Sequence, residues 1–426
     1  MEAVMKRWEM YKFYARRITR NFTLFAKWAV FSVFIGFVVG GSSTFFAFCL
    51  RKVTKFREEN TWIILLLPMS GILVVFLYSI FKYKNDKGTN MVLSTIHAET
   101  ELPFKMAPLI FTSTIITHLF GGSAGREGAA LQLGGSIGNQ IGRWFKFDEK
   151  DKRMVVMCGM SAAFSAMFGT PIAAAIFSME VVSVGVMYYA ALVPCVFASL
   201  VASKVAVHMG IGPDVFTILD VPGFHVVSSI KIIILALFCA GLSVIFCIVL
   251  HSLGDFYREK LKNPYARVVV SSLVIIVLTI ILDTPDYMGA GVPVIEEAVK
   301  GNVKPAAFIW KIVFTALTLE AGFKGGEIVP SFFVGATFGC LFGEVAGISP
   351  SVCAATGMAA VFCGVTNCPI TSMLIAFELF GYEAVPYFLL AISVSYLMSG
   401  YYGLYHDQTI VYSKYKTEYI NRKAKE

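Results

Sequence analysis

The sequence contains few charged residues. Only 15% of its 426 residues are Asp, Glu, Lys or Arg, whereas 57% are hydrophobic. A soluble domain of ordinary composition carries about 25% charged residues, and a mean hydropathy of +0.70 indicates a chain that crosses a membrane several times. Many of the apolar segments are short or contain glycine or proline, which is typical of transporters rather than of receptors.

The sequence also lacks the motifs that mark metal centres and zinc hydrolases. It contains no HExxH segment, and its six histidines include no pair at ligand spacing. Its nine cysteines form no CxxC pair, and we interpret them as small buried hydrophobic residues. We therefore expect no enzymatic activity, no cofactor and no metal site.

Basic residues are concentrated at the two ends of the chain. The first twenty residues carry six of them, and the last fifteen carry five. These flanks explain the net charge of +8, so we expect no nucleic-acid partner. The tendency of basic flanks to stay inside predicts that both termini are cytoplasmic at the cell membrane. Residues 1–20 are expected to form an amphipathic helix on the lipid surface, and residues 407–426 a basic cytoplasmic tail.

The chain contains an internal repeat. Glycines at positions 134, 138 and 142 recur at 335, 339 and 343, so their numbers differ by 335 minus 134, or 201. The segment GMSAAFSAMFGTPIAAAIFSME, which begins at Gly159, recurs from Gly357 with seven identities and an offset of 198 (357 minus 159). We therefore predict an all-α polytopic membrane protein.

Its two repeats are predicted to cover residues 21–209 and 228–406, joined by a linker at 210–227. Such repeats place the substrate site where they meet, near the middle of the membrane. The sequence pattern leaves open whether the repeats are parallel or inverted.

Two glycine-rich loops occupy equivalent positions in the repeats. GGSAGREGAA (residues 121–130) precedes one glycine-rich helix, and GFKGGEIVPS (322–331) precedes its counterpart. A helix start exposes unpaired backbone N–H groups and a partial positive charge, so each loop predicts a place for an anion. KGTNMV (87–92) is a third candidate. An ordinary helix start would explain one such loop, but less readily two equivalent loops that each carry a glutamate.

Those glutamates, Glu127 and Glu327, suggest a mechanism. The helix start favours the carboxylate anion, whereas the membrane interior favours the neutral acid. Such a group can occupy an anion site and leave it once protonated, which predicts exchange of an anion for a proton. The alternative is a pair of structural ion pairs, with Arg126 and Lys324. We give the first little weight because adjacent side chains on a helix point apart, and the second stays open.

At these residues the chain resembles the CLC family of chloride channels and proton-coupled anion antiporters. GREG (125–128) matches the family pattern G-(K/R)-E-G-P, with Ala129 in place of proline, and GGEIVP (325–330) is similar to the element G-x-F-x-P. Further similar segments are KIVFTALTLEAGFKGG (311–326), TPIAAAIFSMEV (170–181) and GLY (403–405).

The resemblance implies a CLC-type fold of two inverted structural repeats with short, tilted and broken helices. It also implies a homodimer with one pore per subunit, in which Glu127 is the gating glutamate. The anion-binding residues that it implies are Thr89, Asn90, Gly125, Arg126, Gly128, Ile328, Val329 and Tyr405. Among these, Tyr405 is expected to donate its hydroxyl to the central ion.

Three departures from the chloride-selective members resemble the fluoride–proton antiporter branch of the family. Thr89 replaces an ion-coordinating serine, Glu327 stands where an apolar residue is usual, and Val181 stands where chloride antiporters carry an inner proton-relay glutamate. Some members of that branch have methionine at the Thr89 position and threonine at the Val329 position, so the local ion contacts differ here.

The predicted function is therefore export of fluoride in exchange for protons, with Glu127 and Glu327 in gating and proton transfer. Fluoride is held by strong hydrogen bonds, and a neutral carboxylic acid supplies a donor for them. A passive chloride or fluoride channel and a chloride–proton antiporter of the same fold are the alternatives, and Val181 argues against the latter.

Overall fold

A computed structural model describes residues 2–83, 88–97 and 102–424 of the chain. Within these ranges the chain forms sixteen α-helices and three short strands. The first eight helices are α1 (Glu2–Glu59), α2 (Leu67–Ile80), α3 (Thr89–Ile96), α4 (Met106–Leu119), α5 (Glu127–Trp144), α6 (Glu149–Phe168), α7 (Pro171–Glu180) and α8 (Leu192–His208). The other eight are α9 (Val226–Lys260), α10 (Pro264–Leu282), α11 (Val292–Val299), α12 (Ala307–Ala321), α13 (Ile328–Ala346), α14 (Pro350–Thr366), α15 (Pro369–Phe380) and α16 (Val385–Met398).

The protein is a multi-pass membrane protein. Six stretches of the described chain are long and apolar enough to cross a membrane, namely Met5–Glu59, Thr61–Ile80, Tyr189–His208, Val226–Lys260, Pro264–Leu282 and Ile328–Ala346. Others, such as α4 and α15, are apolar but shorter. This mixture of long and short helices agrees with the predicted interrupted segments.

The two sets of eight helices correspond in order. The first residues of α5 and α13 are offset by 201 (328 minus 127), and so are those of α6 and α14 (350 minus 149). The first residues of α7 and α15 are offset by 198 (369 minus 171). These offsets are the ones found in the sequence, so each helix of the first repeat has a counterpart in the second.

The repeated glycines are places of close helix packing. Helices α5 and α6 meet at Gly134 and Gly159, where a Cβ added to either glycine would overlap the carbonyl oxygen of the other. Helices α13 and α14 meet in the same way at Gly335 and Gly357. Small residues allow helix backbones to approach closely in a membrane, so the glycine pattern that reveals the repeat is a packing pattern.

The two repeats also exchange helix caps. Glu180, at the end of α7, accepts hydrogen bonds from the backbone N–H groups of Ile370 and Thr371 in the first turn of α15, at 3.0 and 2.7 Å, and from the Thr371 hydroxyl at 2.6 Å. Glu378 in α15 accepts two bonds from the first turn of α7, at 3.0 and 2.8 Å. Each carboxylate therefore satisfies the helix start of the other repeat, as expected for a shared structural role.

Two features differ from the sequence-based expectations. Helix α1 runs without a break across residue 20, where a boundary between a surface helix and the first repeat was expected; its residues include no proline that would end it. The tail folds back as strands β2 (Thr409–Tyr412) and β3 (Tyr419–Lys423). Strand β2 pairs with β3 and, in parallel, with β1 (Ser183–Val184).

Candidate functional site

The two glycine-rich loops meet face to face at the starts of α5 and α13. The N–H of Gly125 donates to the carbonyl of Gly326 at 2.7 Å, and the N–H of Gly326 donates to the carbonyl of Gly125 at 2.8 Å. This is an isolated antiparallel bridge. Gly326 also lies against Gly128, since a Cβ added to Gly326 would come 2.5 Å from the Gly128 nitrogen. The loops that the sequence predicted as equivalents thus form one joint structure.

This pairing brings the free N–H groups of two helix starts together. The first backbone bond into the turn of α5 is donated by Ala130, and that of α13 by Ser331. The N–H groups before them, including those of Gly128, Ile328 and Val329, therefore lack an acceptor within their helices. Ile328 and Val329 are buried. Two positive helix ends at one buried place provide N–H donors and partial positive charge that suit an anion without a full positive charge.

Glu127 is fully buried and forms the ion pair with Arg126 to which little weight was given. Its Oε2 accepts the Arg126 backbone N–H at 3.0 Å, and its Oε1 accepts from Arg126 Nε at 3.3 Å. The expectation was wrong because Arg126 precedes the helix, so the spacing rule for helical side chains does not apply to it. The Glu127 carboxylate therefore occupies a backbone N–H group at the helix start, as a bound anion would.

Glu327 precedes α13 and has a buried Oε2 without a hydrogen-bond partner in the described part of the chain. A Cβ added to Gly128 would come 3.4 Å from this oxygen and 3.0 Å from Thr89 Oγ1. Gly128 is thus flanked by the carboxylate and the hydroxyl. Lys324, the alternative partner, has its ammonium 4.3 Å from the ring centroid of Tyr78, and its charge also acts on the Glu327 carboxylate.

Three side chains of the site carry buried oxygens without a partner among the described residues. They are Thr89 Oγ1 at the start of α3, Glu327 Oε2 and the Tyr405 hydroxyl. Thr89 is 4% exposed and Tyr405 is 1% exposed. Buried polar atoms in proteins are almost always paired, so groups left unpaired beside a pair of helix starts indicate a place for a polar ligand.

The side chain of Asn90 bonds to the segment that carries Tyr405. Its side-chain oxygen accepts the backbone N–H of Asp407 at 3.1 Å. The Asp407 carboxylate in turn accepts the Ser94 hydroxyl at 2.6 Å. Asn90 thereby ties α3 to the segment that carries Tyr405, and its side-chain oxygen is occupied by this bond.

Two cavities approach the paired loops. The Glu327 vestibule, of about 940 Å³, is lined by Gly325 and Glu327 and also by residues 263–265 at the start of α10. The Arg126 vestibule, of about 630 Å³, is lined by Arg126 and by residues 285–286 just beyond the end of α10. The two vestibules therefore lie near opposite ends of α10, which is long and apolar enough to cross a membrane.

The sequence did not single out several residues around the site. Asp214 accepts from Arg126 at 2.5 Å, and a polar residue in a linker gives no signal of such a role. Lys311 is fully buried in α12 and donates to the carbonyls of Tyr287 and Gly289, at 3.2 and 2.7 Å. A lysine inside an apolar run was a signal that could have been used. His118 is buried, and its Nε2 lies 3.3 Å from the carbonyl oxygen of Gly125 in the first loop.

Comparisons with known proteins show the family of the chain. The family model described as voltage gated chloride channel, Voltage_CLC, matches residues 70–400, which is well over half of the chain and includes both loops. The chain belongs to the CLC family.

Its relatives include both channels and antiporters by name. A chloride/fluoride channel protein of Pseudomonas syringae pv. tomato is 34% identical over 397 residues, which cover 92% of this chain and 88% of that protein. A CLC-type fluoride/proton antiporter of known crystal structure is 30% identical, with a TM-score of 0.87 and coverage of 90% of this chain and 98% of that one. A slow cyanobacterial Cl⁻/H⁺ antiporter, 18% identical, has a TM-score of 0.75 with coverage of 87% and 94%. The last shows the fold alone, and the predicted CLC-type fold is confirmed.

Proposed function

We propose that this CLC protein exports fluoride in exchange for protons, through an anion path gated by Glu127. The observation that supports this most is the place of Glu327: its unpaired carboxylate oxygen and the Thr89 hydroxyl flank Gly128, where two helix starts meet. Two relatives at 30% identity or more have fluoride in their names.

Glu127 acts as the gate in this proposal. Its carboxylate holds the Arg126 backbone N–H, which places a negative charge on the site and repels an incoming anion. Protonation removes that charge and weakens the hydrogen bond, because bonds to charged acceptors are about twice as strong as bonds to neutral ones. The side chain then leaves, and fluoride takes the N–H groups that it had occupied.

Glu327 serves fluoride and the proton together. As a neutral acid it donates an O–H hydrogen bond to fluoride, and as a carboxylate it repels the ion. The opposite movement of ion and proton comes from Glu127, because its side chain and fluoride take the same backbone N–H group in turn. The hydroxyls of Thr89 and Tyr405 supply further donors without carrying charge.

The two vestibules fit an exchange between opposite sides. The end of α1 lines the Arg126 vestibule, so the start of α1 lies at the other side of the membrane. Asp407, which leads into the tail, lines the Glu327 vestibule. These positions support placing both termini on the Glu327 side. We propose that this side is cytoplasmic, that the protein resides in the cell membrane in contact with lipid, and that it forms a homodimer.

Transport by the purified protein in liposomes tests this function. Fluoride efflux and proton uptake are recorded together for the native chain, Glu127→Gln and Glu327→Gln, with chloride-loaded liposomes alongside. We expect fluoride-driven proton uptake in the native chain and at least a tenfold loss of it in both variants. Glu344→Gln is the matched control, since Glu344 is exposed on α13. Unchanged coupled uptake in both site variants would leave the proposal without its proton carriers.

A further inference from the structure

A second carboxylate lies in the Glu327 vestibule. Glu320 is in the last turn of α12, seven residues before Glu327, and both side chains line this cavity. Glu320 is half-buried, so it meets both the cavity and the protein interior. The exchange mechanism above assigns it no role.

The Glu320 carboxylate is held close to α9 but is not bonded there. It lies over Gly254, where an added Cβ would overlap its Oε2. The two nearby guanidinium groups are engaged elsewhere: Arg258 pairs with Asp255 at 2.6 Å, and Arg267 donates its Nε to a backbone carbonyl at 2.8 Å. Within the described residues the carboxylate itself makes no hydrogen bond and no ion pair. A structural carboxylate would normally be paired.

Charges from each neighbouring element face this group. Arg258 comes from α9, Arg267 from α10, Lys324 from the loop after α12, and Glu327 from the start of α13. The same vestibule also contains two histidine rings, His251 and His406, whose centroids are 3.9 Å apart and whose planes are tilted by 38°, and Asp407. Glu320 shares this cavity with Glu327 and lies seven residues before it along the chain.

Resting on the proposed fluoride–proton exchange, we infer that Glu320 transfers protons between the water of the Glu327 vestibule and Glu327. The Glu320 carboxylate takes one proton from a hydronium ion, which becomes water. It then passes that proton through vestibule water to the Glu327 carboxylate, so Glu320 is again an anion and Glu327 is neutral. During fluoride export the same steps run in reverse: neutral Glu327 gives its proton to Glu320, and Glu320 gives it to a vestibule water, which becomes a hydronium ion. No bond between heavy atoms changes.

The size of the Glu327 vestibule supports this route. The vestibule holds about 940 Å³, and a water molecule needs about 30 Å³, so a hydrogen-bonded chain of water fits inside the cavity that both carboxylates line.

Glu320→Gln and Glu320→Asp in the full chain test the inference. Coupled fluoride and proton fluxes are measured in liposomes between pH 6 and 8, with the pH equal on both sides and the leak of protein-free liposomes subtracted. We expect Glu320→Gln to lose at least tenfold in turnover at pH 8 and to recover most of it at pH 6, where protons are a hundredfold more concentrated. Glu320→Asp should stay within about threefold of the native chain, because it keeps a carboxylate. Glu259→Gln, an exposed substitution near the end of α9, is the control.

The outcomes separate the two proposals. One outcome is that the native chain couples fluoride to protons and that Glu320→Gln has a turnover within twofold of the native value at every pH. This result would overturn the inference about Glu320 and would not contradict the exchange function. A loss that is the same at every pH and equal in the Asp variant would assign Glu320 a structural role and also overturn it. Absence of proton movement in the native chain would instead overturn the exchange function. Monodispersity and the melting temperature of each variant show whether it has folded.

Discussion

At the scale of single residues, Gly128 leaves little free space beside the proposed anion path. A Cβ there would lie 3.0 Å from both Thr89 Oγ1 and the Gly326 Cα, closer than ordinary van der Waals contact. We therefore expect Gly128→Ala to lower fluoride turnover at least tenfold, because the methyl group fills the space beside the Glu327 carboxylate. Electrode measurements of efflux from liposomes give the turnover.

Gly241→Ala is the matched control for this change. Gly241 lies within α9, and an added Cβ there meets no atom within 4 Å. We expect native turnover in this variant and a slightly raised melting temperature, since alanine favours a helix over glycine by about 1 kcal/mol. Equal turnover in the two alanine variants would show that the space beside Gly128 is not on the path.

A variant without the Tyr405 hydroxyl can show whether this group binds the ion or has a structural role. It is buried and has no partner among the described residues. Removing a hydroxyl that bonds to another protein group lowers the free energy of unfolding by about 1 kcal/mol. Removing a hydroxyl whose only partner is a bound ion leaves the free energy of unfolding of the ion-free protein unchanged. We expect Tyr405→Phe to melt at or above the native temperature and to transport fluoride at least fivefold more slowly. A destabilised variant with native transport would contradict this assignment.

The residue scale also shows where sequence reasoning fails. The types and positions of Glu127, Glu327 and Thr89 were evident from the repeat and the family resemblance. The bond between Glu127 and Arg126 was missed because it depends on the backbone bend before α5. The link from Arg126 to Asp214 was missed because it joins residues 88 positions apart, which no local pattern encodes.

At the scale of elements, the helix caps that the two repeats exchange are expected to contribute to the stability of the fold. Glu180 is buried and accepts three bonds, whereas Glu378 is half-buried and accepts two. We expect Glu180→Gln to lower stability by about 1–3 kcal/mol, because an amide places its NH₂ group against N–H donors. Glu378→Gln should cost less, since water screens it. Thermal melting in detergent measures both.

Two measurements serve as controls for the cap variants: their proton coupling and the melting temperature of Glu344→Gln. Proton coupling should survive in both cap variants, since neither carboxylate lines the vestibules. Glu344→Gln should leave the melting temperature unchanged. A larger loss in Glu378→Gln than in Glu180→Gln would contradict the assigned difference in burial.

Elements differ in how far the sequence predicted them. The correspondence between the helices of the two repeats followed from glycine offsets, because close packing constrains those positions strongly. The small sheet in the tail did not, because β2 pairs with Ser183–Val184, a segment of the first repeat with no strand pattern of its own. The unbroken α1 was not expected because a change in composition was taken for a boundary.

At the scale of the whole molecule, the two vestibules should open to opposite sides of the membrane. Tyr265→Cys lies in the Glu327 vestibule and Asp286→Cys in the Arg126 vestibule. In intact cells we expect a membrane-impermeant thiol reagent to label Asp286→Cys and to label Tyr265→Cys only after permeabilisation. The native chain is the control, since eight of its nine cysteines are buried. Labelling of both variants from outside would contradict opposed vestibules.

The proposed function requires that fluoride and protons move in opposite directions through one protein. The most direct measurement is proton movement by the native chain in liposomes with an outward fluoride gradient and an initial pH that is lower inside. We predict that protons enter against their own gradient while fluoride leaves, and that the internal pH falls further. Fluoride efflux with no uphill proton movement would contradict the account and identify a passive channel.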